Sequence, residues 1–192
     1  MLKQRLSQVL GGIKKGYAVD TFEGGFPVAQ VVNAPDAQSN TAVHAAMSLT
    51  TVAQVISGSI TDPDVYRALR LVGNQADVYA NVTVRGLDRA DRAIQETILV
   101  SGNTAVETNQ PFKEVTKIEL PIKTANGQTV SVGISNKLGL YRPPLTTALE
   151  LLKVDNSVES EVAFSQTYGT FTPDTDPNGS RVYEANYLTD IF

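Results

Sequence analysis

Cysteine is absent from this 192-residue sequence, which excludes both a disulfide framework and a thiolate metal site. Tryptophan is absent too, and histidine occurs once, at His44. A single histidine cannot form a multi-histidine metal site. It would have to serve any Ser-His-Asp arrangement, yet no G-x-S-x-G elbow accompanies it. A histidine packed or exposed in a β segment is the plainer reading. Neither G-x-x-x-x-G-K-[ST] nor G-x-G-x-x-G occurs, so no phosphate cradle is expected. Gly11-Gly12 and Gly24-Gly25 read as chain bends. No apolar run approaches the ~20 residues of a membrane span.

What is present is a 42% hydrophobic chain, enough for a sizeable core. Its charge is uneven. Residues 1–19 contain Lys3, Arg5, Lys14 and Lys15 and no acid, so they carry +4; the net charge of −4 leaves −8 on the rest. An acidic body opposes the phosphate neutralisation on which nucleic-acid binding depends, and no nucleic-acid partner is expected. In MLKQRLSQVLGGIKKGY the apolar residues are interrupted too often for a signal peptide. Leu2, Leu6, Val9, Leu10 and Ile13 instead fall on one helical face. Such a basic amphipathic segment either packs on its own domain or docks on a partner. A membrane role is disfavoured because the helix, ended by Gly11-Gly12 or a little later, has no aromatic anchor.

From Phe26 onward the pattern is β. FPVAQVV (26–32) reads as a strand and NAPDAQSNT (33–41) as a loop. Residues 42–60 alternate in β fashion, although their alanines also permit a helix. ADVYANVTVRG (76–86), AIQETILVSG (93–102), FKEVTKIELP (112–121) and TVSVGIS (129–135) are the clearest strands, with turn signals at Gly102-Asn103 and a hairpin turn signal at Asn126-Gly127. ALELLKV (148–154) reads as a strand or a short helix. EVAFSQ (161–166), GTFTP (169–173) and RVYEANY (181–187) are strands. Short strands at this spacing predict an all-β fold, an antiparallel β-sandwich or jelly-roll-like domain over 25–192, preceded by a helical or extended arm over 1–24. TDPDVYRALRLV (61–72) admits a helix capped by Asp62 or a strand after a TDPD loop. Its β neighbours favour the strand, with the aspartates as turn residues.

Little in the chain suggests chemistry. DRADR (88–92) reads as a solvated hairpin loop. DTDPNGSRVYE (174–184) places Asp174, Asp176, Asn178 and Gly179 at the first ligand positions and the glycine of a calcium loop. The twelfth position, where a bidentate glutamate belongs, is Ala185; Glu184 comes one residue early. A polar β-turn uses the same residue types. No convergent catalytic set is apparent, and neither an enzymatic activity nor a cofactor is expected.

The strand series carries a resemblance. It runs through D-P-D-V (Asp62–Val65), V-T-V-x-G (Val82–Gly86), E-T-I (Glu96–Ile98), G-N-T-x-V (Gly102–Val106), F-K-x-V-T-x-I-x-L-P (Phe112–Pro121) and T-V-S-V-G-x-x-x-K-L-G-L (Thr129–Leu140). Over about residues 20–192 it resembles the β-sandwich virion proteins of tailed bacteriophages, and Y-G-T-F-T-P followed by R-V-Y-E-A-N-Y resembles their closing hairpin. The resemblance implies a capsid decoration, or cement, protein on the outer capsid surface, commonly a homotrimer, with the major capsid protein as partner. It supplies no catalytic residue. In similar chains the 173–180 link looks like a plain Pro/Gly turn, without the acidic set seen here. Partner contacts are then expected from the arm (Leu2, Leu6, Leu10, Ile13), from the segment with Phe26, Val28 and Val31, and from the C-terminal Tyr187, Leu188, Ile191 and Phe192, unless these last close the core. The alternatives are another head or tail component, or a carbohydrate- or host-binding module using Tyr66, Tyr79, Tyr141 and Tyr168.

Overall fold

A computed structural model describes residues 25–123, 127–145, 149–159 and 162–190. They form an all-β molecule in which antiparallel sheets pack face to face. The strands are β1 (Phe26–Asn33), β2 (Ser39–Ser48), β3 (Gln54–Ile56), β4 (Arg67–Gly73), β5 (Tyr79–Leu87), β6 (Ala93–Ser101) and β7 (Val106–Phe112). They continue with β8 (Glu114–Leu120), β9 (Thr129–Gly139), β10 (Leu151–Val154), β11 (Ser157–Glu159), β12 (Val162–Ser165), β13 (Thr170–Pro173) and β14 (Val182–Thr189). A first sheet runs β1-β14-β10-β11, a middle sheet β12-β13-β9-β4-β7 with β2 also on β9, and a third sheet β3-β8-β5-β6.

Two apolar clusters lie between these layers. The larger joins the middle and third sheets through Leu69, Leu71, Val82, Val84, Ile118, Val130 and Val132. The smaller joins the first and middle sheets through Leu138, Leu152, Phe171, Tyr183, Ala185 and Tyr187. β9 serves both, with Val130, Val132 and Ile134 in one and Leu138 in the other. Each buried aliphatic or aromatic side chain contributes about 1.5–3 kcal/mol of transfer free energy. Close strand approach requires glycine at Gly86, where a Cβ would come 1.9 Å from the Glu114 carbonyl oxygen at a register shift between β5 and β8.

TDPDVYRALRLV is a loop leading into β4, with no helix. Its aspartates do more than turn the chain. Asp62 Oδ1 accepts the Val115 backbone N–H (2.9 Å), Asp64 Oδ2 accepts that of Asp36 (2.7 Å), and Asp64 Oδ1 pairs with fully buried Arg67 (2.9 Å). Residues 42–60 resolve into the end of β2 and all of β3, and 148–154 supplies β10. The 33–41 loop is shorter than expected, because β2 already begins at Ser39.

Several expected pairings are corrected. FKEVTKIELP is not one strand: Phe112 ends β7 in the middle sheet, and Glu114 begins β8 in the third. Both flanks are buried, so the apolar pattern runs straight through the corner at Lys113. Gly127 has the positive φ of a turn residue (70°), but β8 and β9 lie in different sheets and no hairpin joins them. Likewise β13 pairs with β12 and β9, whereas β14 pairs with β1 and β10, so these two strands do not form a closing hairpin. The β5–β6 hairpin holds in register from Tyr79↔Ser101 to Leu87↔Ala93.

Candidate functional site

The arm residues Leu2, Leu6, Leu10 and Ile13 lie outside the described residues, as do Ile191 and Phe192. The segment after the arm is β1, an edge strand whose only strand partner among the described residues is β14. Strand alternation sorts its side chains. Val28, Gln30 and Val32 face inward opposite Tyr187, Ala185 and Tyr183. Val28 packs on the smaller core, and half-buried Phe26 shares its parity. Val31 does face out, with Pro27 and Ala29. Tyr187 is buried and closes the core, its hydroxyl accepting the Arg142 backbone N–H at 3.2 Å.

Register extends this outward set across the first sheet. Pro27 lies opposite Leu188, Ala29 opposite Asn186, Val31 opposite Glu184 and Asn33 opposite Val182. Beyond them come Leu151, Lys153 and Val158. A sheet face meeting water normally alternates to polar residues. Here Val31, Val182 and Val158 are 45%, 39% and 64% exposed, and the Lys153–Glu184 pair at 3.8 Å is the ion pair seen among them.

A second feature lies at the tip of the β5–β6 hairpin. Asp88 is buried at the base of the 88–92 turn. Its carboxylate accepts the backbone N–H groups of Ala90 (2.8 Å) and Arg92 (3.0 Å) and the Arg92 Nε–H (2.8 Å). Burial alone would raise its pKa; the hydrogen bonds from Arg92 and Ala90 outweigh burial and hold it below the usual carboxylate range. These bonds hold the turn as a wall, and residues 89–92 are exposed, the solvated hairpin loop that the sequence suggested. Facing it are the stretch after β9 and the turn between β12 and β13, where Leu140 N–H donates to the Gly169 carbonyl at 2.7 Å.

Between these walls is a cleft of about 210 Å³, lined in part by Tyr66, Arg89, Arg92, Tyr141, Gln166 and Tyr168. Three of the four tyrosines singled out for sugar contact thus converge on one cavity; Tyr79 lies elsewhere on β5. The Arg89 guanidinium sits directly over the Tyr141 ring. Tyr66 packs against Gly139, where a Cβ would meet its ring at 2.4 Å, so only glycine lets the ring settle there. Burial, and then the nearby Asp88 charge, push the Tyr66 pKa up. The sequence marked these tyrosines by exposure chemistry alone; Arg89 and Arg92 carried no signal beyond a charged loop.

Of the calcium-motif residues, the side chains of Asp176, Asn178 and Glu184 have other partners. Asn178 Oδ1 accepts the Ser180 and Arg181 backbone N–H groups (3.0 and 3.1 Å), which makes a self-bonded turn. Asp176 Oδ1 accepts from the Asn136 amide at 2.6 Å. Asp174 donates its backbone N–H to Glu159 at 3.0 Å, and Glu184 sits within β14 beside Lys153. Among the described residues no group of three or more acidic or histidine side chains converges as a metal site. His44 lies in β2 opposite Val132, its Nδ1 2.8 Å from the Ala45 carbonyl. Comparison with protein-family models, with curated proteins and with solved structures returned no match.

Proposed function

We propose that this chain is a non-catalytic structural protein of a phage virion, which binds the outside of the capsid lattice and stabilises it. The observation that carries the proposal is the first sheet. Among the described residues its edge strand β1 pairs only with β14, an arrangement suited to strand addition, and its outer face sets Pro27, Ala29, Val31, Leu151, Val158, Val182 and Leu188 among Asn33, Lys153, Glu184 and Asn186, more apolar than a solvated face. A contact of this kind supplies backbone hydrogen bonds at the edge and apolar burial on the face. The resemblance of the strand series to virion proteins of tailed phages names the partner, the major capsid protein, and the assembly, a homotrimer. The basic arm over 1–24 would reach the lattice beside β1.

The test is a mass-spectrometric copy number in purified virions. Hundreds of copies are expected for a decoration protein. A number matching a single connector ring would move the chain to the head–tail junction, and absence from the particle would overturn a virion role. Deleting residues 1–20 is expected to lower capsid occupancy, and unchanged occupancy would remove the arm as an anchor.

A further inference from the structure

We propose that the cleft at the tip of the β5–β6 hairpin binds an acidic sugar, a single pyranose ring bearing a carboxylate. The first support is charge. Besides Arg142, the lining contains Arg89 and Arg92 against one carboxylate, Asp88, and that carboxylate is already committed to Arg92, which leaves the charge of Arg89. The cleft is thus locally cationic on a chain of net charge −4. A local excess of this size draws in one carboxylate, while the acidic body opposes a polyphosphate or a nucleic-acid backbone.

The second support is the state of Arg89. Stacking on Tyr141 occupies the face of its guanidinium, and no hydrogen bond or ion pair engages its edge among the described residues. A stacked guanidinium keeps its in-plane N–H fork for bidentate recognition of a planar carboxylate. The ring beneath it fixes its position, so little side-chain entropy is lost on binding.

The third support concerns the rest of the ligand. Tyr168 remains 43% exposed and so offers apolar ring surface to the C–H face of a sugar, while Tyr141 carries Arg89. Gln166 donates to the Leu145 carbonyl at 2.8 Å and Gln110 to the Gln95 carbonyl at 3.2 Å, which holds both side chains in the lining and leaves their amide oxygens to accept from hydroxyl groups. The volume of about 210 Å³ falls below the roughly 300–1,000 Å³ of drug-sized sites, which suits one ring at a chain end rather than an internal segment. The walls are pre-formed by the Asp88 bonds and by the Leu140–Gly169 bond.

The experiment titrates the full chain at low ionic strength with N-acetylneuraminic acid and with methyl glucuronide, against methyl glucoside, acetate and inorganic phosphate, and follows amide shifts by NMR. Saturable binding of a carboxylated sugar is expected, with shifts centred on residues 88–92, 141–142 and 166–169. Methyl glucoside and acetate are each expected to bind at least about tenfold more weakly, the effect of one lost charge-assisted pair or one lost stacking face. Arg89→Ala and Arg89→Lys are both expected to weaken binding about tenfold or more, because lysine keeps the charge and loses the fork. Arg89 is exposed, so the melting temperature is expected to be unchanged in both. Absence of saturable binding by either acidic sugar overturns the proposal. So does equal binding of acetate or phosphate, which would leave a simple anion site, or affinity indifferent to Arg89. Capsid occupancy is read separately, so this result and the virion proposal fail independently.

Discussion

Arg67 shows how one side chain can tie distant segments. It is fully buried, yet its Nε–H donates to the Ser135 carbonyl (2.7 Å), one Nη donates to the Asp36 carbonyl (3.0 Å), and the same nitrogen pairs with Asp64 (2.9 Å). Removing it strands the buried Ser135 carbonyl and empties a fully buried site, while Asp36 and Asp64 lie at the solvent edge. Arg67→Ala is therefore expected to cost about 1–3 kcal/mol, read as a lower urea midpoint at unchanged m-value. Asp88 gives a pH signature. Its folded pKa is depressed, so its stabilisation is present above the unfolded aspartate pKa and is lost as pH falls through the folded value. Loosening of the 88–92 turn is expected below about pH 4, followed by NMR amide shifts. Asp88→Asn is expected to weaken the turn at neutral pH and to erase that dependence.

At the scale of elements, Glu96 on β6 clamps β7 across the gap between two sheets. Its carboxylate accepts the backbone N–H groups of Asn109 (2.8 Å) and Gln110 (2.9 Å). Glu96→Ala is expected to cost about 1–2 kcal/mol, visible as a lower melting temperature. Periodicity made most strands legible, because alternation reports which side chains face a core; β1, β5, β6 and β9 follow from it directly. It does not report neighbours. Hence the sheet change at Lys113 and the divergence of β13 from β14 left no local trace. The cleft was half legible for the same reason. Exposed tyrosines can be named from sequence, but nothing local tells that Tyr66, Tyr141 and Tyr168 meet, or that Arg89 would lie on one of them.

In the whole molecule β9 is the shared member. Its edges are taken by β4 on one side and by β2 and then β13 on the other, and its side chains enter both cores. Amide exchange is therefore expected to be slowest in β9 and β4 and fastest in the short edge strands β3, β11 and β12, as measured by native-state hydrogen exchange. Equal protection across these strands would show that the two cores open as one without a central member.

The pairing of β1 with β14 also has a temporal meaning. Gln30 and Tyr187, side by side in the inner face, are 157 residues apart in the chain. Synthesis runs from β1 to β14, so Phe26–Asn33 leaves the ribosome long before its strand partner among the described residues exists. Any chain interrupted before Val182 exhibits an unpaired apolar strand, and the same segment proposed to meet the capsid is the one most exposed to premature association.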